Sequence, residues 1–164
     1  MRMRKERFII LACVCLAAVG FLAWSIARGV LHSPTAPIVE ITGFETITLE
    51  IHGMRGSTVY EIIPEGNEVE ISFYEIRVRD GADVKELAMR ASCDRETMLT
   101  LLNQCGFTGW NGFYGEHPKN VKDGEMFELA AIVNDGLEIR AEGSANFPRH
   151  FSEFRSAIDQ ILRE

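Results

Sequence analysis

The sequence has no phosphate-cradling G-x-x-x-x-G-K-[ST] loop, no G-x-G-x-x-G dinucleotide fingerprint and no G-x-S-x-G nucleophile elbow, which removes the common nucleotide-binding and serine-hydrolase signatures. Its four histidines, His32, His52, His117 and His150, are widely separated, and neither H-x-x-x-H nor C-x-x-C occurs. A zinc site is therefore unsupported, and no metal or cofactor is expected. Asp80, Asp83 and Glu86 are acidic and near a turn, but they lack the ligand spacing of a calcium loop, and helix capping accounts for Asp83 more simply. Internal repeats and low-complexity tracts are absent as well. Basic charge is scarce beyond Arg28. Setting aside residues 1–32 leaves 12 basic and 23 acidic side chains, a formal net charge of −11. A surface of that sign repels nucleic acid and anionic polymers, so nucleic acid is excluded as a partner, while basic peptides, basic proteins and cations stay electrostatically permitted.

The one long apolar run is residues 8–27, FIILACVCLAAVGFLAWSIA, which carries no charge and follows the basic flank MRMRKER at residues 1–7. A bilayer core of about 30 Å takes about 20 helical residues, and the basic flank sets the orientation. The segment reads as a single transmembrane helix with its N-terminus cytoplasmic and the rest of the chain extracytoplasmic. A signal peptide cleaved after Ser25-Ile26-Ala27, giving a secreted protein, is the alternative. The run exceeds the usual h-region of about 7 to 15 residues, and Trp24 suits a membrane-edge anchor, so the anchor is preferred. Too few apolar residues precede Cys13 for a lipoprotein signal, and Cys13 and Cys15 read as small apolar residues.

Residues 28–37 are polar and proline-punctuated, a semi-extended linker. Residues 38–164 are enough for one core. Ile47, Leu49 and Ile51 alternate with polar residues, residues 53–56 make a turn, and strands follow over 57–63 and 68–79. Within the last of these the apolar parity shifts from Val69, Ile71 and Phe73 to Tyr74, Ile76 and Val78, which predicts a bulge near Tyr74 and Glu75. After Asp80-Gly81 the pattern predicts a helix capped by Asp83 with Val84, Leu87 and Ala88 inward. A second helix is expected over residues 95–104, capped by Asp94 and stopped by Gly106. It separates Cys93 from Cys105 by about 18 Å, too far for a disulfide, so both are expected as free thiols; a Cys93–Cys105 bridge is the alternative if that helix is wrong.

Residues 126–133 and 137–142 form a hairpin around Asn134-Asp135-Gly136. A last helix begins with Pro148 near its first position, buries Phe151, Phe154, Ile158 and Ile161, and spaces Arg155, Asp159 and Arg163 as i,i+4 partners. The fold class expected is α+β: an antiparallel sheet of about six strands covered by two or three α-helices, after one N-terminal transmembrane helix.

The stretch GWNGFYGEHPKN, residues 109–120, holds the candidate binding residues Trp110, Phe113, Tyr114, Glu116 and His117. In one reading Trp110 and Phe113 fold back over the end of the core, which is favoured for those two. In the other, the aromatics form an exposed lip rimmed by Glu116, His117 and Lys119 for a protein, peptide or glycan partner. The two readings are even for Tyr114 with Glu116 and His117. A nucleophile–base pair of Cys105 and His117 would make the chain an envelope hydrolase, but nothing in the sequence orients the two. A third reading uses the small-residue faces Cys13-x-x-x-Ala17 and Ala23-x-x-x-Ala27 to build an accessory subunit of a membrane complex.

The order Trp110-Asn111-Gly112-Phe113, Asp123-Gly124, Asp135-Gly136, Gly143-Ser144 and Pro148-x-x-Phe151 resembles an uncharacterised family of small bacterial envelope proteins and lipoproteins, over roughly residues 103–162. The resemblance implies an envelope location and an α+β fold, and assigns no catalytic residue. The expected function is a non-catalytic, membrane-anchored interaction or ligand-binding module of the bacterial cell envelope.

Overall fold

The computed structural model describes residues 38–164 apart from Arg55. The expected membrane segment, residues 8–27, its basic flank and the linker lie outside the described residues. Among those described, no helix is long and apolar enough to cross a membrane. Thr35–Glu164 is one compact unit, and the hydrophobic core of the described residues lies within it, the property of a domain able to fold alone.

Seven strands form one sheet: β1 (Phe44–Gly53), β2 (Gly56–Glu65), β3 (Glu68–Arg79), β4 (Ala82–Asp94), β5 (Phe113–Gly115), β6 (Met126–Val133) and β7 (Leu137–Ser144), in the order β4-β3-β2-β1-β6-β7-β5. Among the described residues two α-helices complete it, α1 (Arg95–Gln104) and α2 (Phe151–Ile161), with one 3₁₀ turn at Phe107–Trp110. The expectation of an antiparallel sheet of about six strands under two or three helices is corrected: the sheet has seven strands, β5 runs parallel to β7 so that it is mixed, and the helices among the described residues number two.

The missing helix is β4. Its Ala, Leu, Glu, Lys and Met content favours a helix, but the local turn and the partner strand override that preference. Asp80 and Gly81 both take positive φ, 52° and 81°, which is the geometry of a two-residue hairpin turn. Arg79 then pairs with Ala82, and pairing continues to Glu68 with Asp94. The register shifts between Phe73 and Tyr74, where the change of apolar parity predicted a bulge, and the extra residue, Ala88, sits on β4.

α1 spans the expected residues, although the Asp94 side chain makes no cap bond; the Arg95 amide donates instead to the Asn67 carbonyl at 2.9 Å. α2 begins three residues after Pro148, because His150 takes φ 63° and the helix can start only beyond it. Arg155 pairs across the fold with Glu125 at 2.6 Å rather than with Asp159, whose carboxylate accepts from the Tyr60 hydroxyl at 2.8 Å.

Both helices lie on the same side of the sheet as the inward-facing stripe. Ile47 opposes Ile62 and Ala131, Leu49 opposes Tyr60 and Leu129, and Ala131 opposes Ile139. Against these pack Met98 and Leu102 of α1 and Phe151, Phe154 and Ile158 of α2. Residues 38–42 are held without strand pairing: Thr108 Oγ1, Asn103 and Asn134 each accept from and donate to their backbone, for example Ile41 N to Asn103 Oδ1 at 2.7 Å and Asn103 Nδ2 to Ile41 O at 2.9 Å. Polar side chains thereby satisfy backbone groups that a neighbouring strand would otherwise satisfy. Cys93 and Cys105 are free thiols, as the helix between them predicted.

Candidate functional site

Between the 3₁₀ turn and β5 the chain crosses from the core to the outer face of the sheet. Trp110 is 3% exposed and its indole N–H donates to the Arg149 carbonyl at 3.0 Å. It belongs to a continuous aromatic cluster: Trp110 with Phe107 (ring centroids 4.8 Å), Phe151 (5.9 Å) and Phe154 (5.6 Å), and Phe127 with Phe151 (4.7 Å) and Phe113 (6.2 Å). Phe113 is half-buried against it. Trp110 and Phe113 are therefore packing residues. Tyr114, the next residue along β5, points to the other face and is 65% exposed.

A close approach makes that crossover possible. β5 pairs with β7 at Gly115 and Gly143, and a Cβ on either would run into the Asn146 carbonyl oxygen. Two glycines are needed where three backbone segments meet.

His117 is exposed and bonded on both ring nitrogens. Nε2 donates to the Val121 carbonyl at 2.7 Å, and Nδ1 is hydrogen-bonded with the Ser144 hydroxyl at 2.8 Å. This fixes the loop after β5 to the end of β7. Cys105, the nucleophile of the hydrolase reading, is 5% exposed; burial pushes its thiol up, with Glu153 adding to the shift. A thiol held protonated in the core is poorly suited to attack, and the cavity beside His117 does not include it.

The uncovered face has an organisation of its own. Strand register sets Glu50 beside Glu128, Glu128 beside Glu142, and Glu142 beside Tyr114, so one row across β1, β6, β7 and β5 carries three carboxylates and ends on an exposed aromatic. Neighbouring strands lie about 4.8 Å apart, and like charges placed directly opposite are destabilising. Glu50 has His52 Nε2 at 3.6 Å, and Arg140 is turned to Glu138 at 3.5 Å. Among the described residues no cation lies within ion-pair distance of Glu128 or Glu142.

Two shallow cavities flank Tyr114. One of about 430 Å³ is bordered by Thr48, Glu50, Glu128, Arg140 and Glu142; the other, of about 310 Å³, by His52, Glu116, His117, Met126 and Ser144. Of the residues singled out from sequence, Tyr114, Glu116 and His117 come together here. Glu50, Glu128 and Glu142 were not anticipated. Each occupies an outward position in an alternating strand, which was readable, but their alignment depends on strand order and register. Among the described residues no cluster of His, Cys, Asp and Glu is arranged to hold a metal ion. No protein-family model matches the chain, and no curated protein or solved structure matches it either.

Proposed function

We propose that the chain is a non-catalytic interaction module of the bacterial cell envelope, anchored in the membrane through residues 8–27 and displaying residues 38–164 on the extracytoplasmic side, where its uncovered sheet face takes a basic segment of a partner protein or peptide. The row Glu50, Glu128, Glu142 and Tyr114 carries this reading. It holds adjacent like charges at a cost to stability and ends on an aromatic available for cation–π contact with Lys or Arg. The formal charge of −11 over residues 33–164 agrees in sign, and complementary charge of this kind steers association and orients the partner. The envelope location rests on the basic flank, the apolar run and the resemblance of the carboxy-terminal motifs.

Fluorescence anisotropy of a labelled oligolysine peptide against residues 38–164 tests the site. The expected result is binding that weakens steeply with salt and falls by about tenfold, equivalent to 1.4 kcal/mol, in Glu128→Gln and in Tyr114→Ala. Equal binding of oligolysine and oligoglutamate, or no effect of either substitution, overturns it. Protease accessibility in spheroplasts, with resistance to alkaline extraction, tests the location.

A further inference from the structure

On the opposite side of the molecule the two helices leave a groove of about 1120 Å³, bordered by Thr97, Leu99, Thr100 and Leu101 of α1 and by Ala157 and Ile161 of α2. Leu99, Leu101 and Ile161 are half-buried and pack on the core from beneath, giving an apolar floor. The rim is acidic, with Asp94, Glu96 and Glu164; its one cation, Arg95, donates to the Gly66 carbonyl at 3.4 Å. None of these four makes an ion pair among the described residues.

We propose that this groove is a second docking surface, for an amphipathic helix of a partner protein with an apolar stripe and Lys/Arg flanks. Two physical arguments select that occupant. The groove walls are helices whose backbone groups are already bonded internally, so an extended peptide would bury unpaired amides and carbonyls, whereas a helix arrives with its own satisfied. Three carboxylates against one arginine along the rim leave it net acidic, which selects basic flanks over acidic ones. α1 has ten residues and is about 15 Å long, enough to accept roughly three turns of a partner helix. The chain then contacts partners on both sides, with the sheet between the two surfaces. This inference is independent of the ligand assigned to the uncovered face.

The test uses residues 38–164 and two labelled peptides of about 14 residues sharing one Leu stripe at i, i+3, i+4 and i+7 spacing, flanked by Lys in one and Glu in the other. The Lys peptide is expected to bind about tenfold more tightly than the Glu peptide. It should lose that binding in Ala157→Arg, and in the exposed-site variant Thr100→Arg, which changes no core contact. A proline placed in the middle of the Lys peptide should abolish binding by breaking its helix. In Tyr114→Ala, which weakens the other face's own hold on basic peptides, binding of the Lys peptide at the groove should persist. The proposal fails if the peptides bind equally or not at all, if both groove variants bind as the parent does, if the proline peptide still binds, or if Tyr114→Ala removes binding.

Discussion

Phe113 and Tyr114 are neighbours in sequence and occupy opposite faces of one sheet. Phe113 packs 6.2 Å from Phe127 within an aromatic cluster, whereas Tyr114 stands 65% exposed beside three carboxylates in a row. The helix-covered face is continuous in aromatic and aliphatic side chains, and stability concentrates there. The uncovered face carries the alignment of Glu50 with Glu128 with Glu142, like charges in adjacent register, an arrangement that opposes folding. A side chain that makes the fold worse and is nonetheless placed in register with two others of its kind is better explained by what it meets than by what it supports.

Truncation should separate the two faces most sharply. Phe127 is 1% exposed and Trp110 3%. Replacing either with Ala removes a buried aromatic at a cost of about 3 to 5 kcal/mol, a fall in the unfolding midpoint of roughly ten degrees or more for a domain of this size. Tyr114→Ala should stay within about 0.5 kcal/mol of the parent. Calorimetry of the three variants of residues 38–164 decides the matter. A large loss for Tyr114→Ala would make the uncovered face a second core and would withdraw it as a binding surface.

A pH titration probes the helix-covered face separately. Tyr60 faces the helices, and its hydroxyl is pushed up to about 12, by burial first and then by the hydrogen bond to Asp159. The unfolded value is about 10. Below pH 10 both states hold the proton and the contribution is complete. Between about 10 and 12 the unfolded chain releases a proton that the folded chain keeps, so stability falls as pH rises through that window. The midpoint of unfolding should therefore decline over this range in the parent protein. In Tyr60→Phe the decline should be shallower, with a loss of about 1 kcal/mol at neutral pH from the missing hydrogen bond. An unchanged slope in Tyr60→Phe would assign the alkaline loss to other groups.

How far the sequence anticipated these faces depended on whether the signal was local. The strands from Phe44 to Arg79, the hairpin around Asn134-Asp135-Gly136 and helix α1 were legible because alternation, a tight-turn motif and helical spacing act within a few residues. The register shift lies where the parity change of residues 68–79 placed it, but the extra residue is Ala88 on β4; β2–β3 pairing runs unbroken through Phe73 and Tyr74, so β3 itself is not turned over. β4 was misread because Val84, Leu87 and Ala88 also fit a helical stripe; Asp80-Gly81 held the better signal, since a two-residue turn with both φ positive returns the chain antiparallel. β5 escaped notice because three residues carry no period, and its parallel pairing depends on Gly115 and Gly143 coming together across the fold. The side-chain clamp of Thr108, Asn103 and Asn134 on residues 38–42 joins positions more than 60 apart, and no sequence window contains it.

The smallest expected effect tests the reasoning about the uncovered face most directly. Glu128 stands between Glu50 and Glu142, so Glu128→Gln removes both adjacent repulsions while keeping size and shape. Its hydrogen-bonding amide is tolerated at an exposed position, and the change should stabilise residues 38–164 by about 0.2 to 1 kcal/mol. That gain should shrink as salt rises to about 1 M, where the screening length falls to roughly 3 Å. A control at Glu138→Gln, whose carboxylate lies 3.5 Å from Arg140, should give no gain because it removes an attraction instead. If Glu128→Gln stabilises the domain and also weakens oligolysine binding, one side chain lowers stability and supports recognition, the trade-off expected of a binding surface. If it destabilises the domain, the row is already neutralised in the free protein, and the charge-complementarity argument for a basic partner fails.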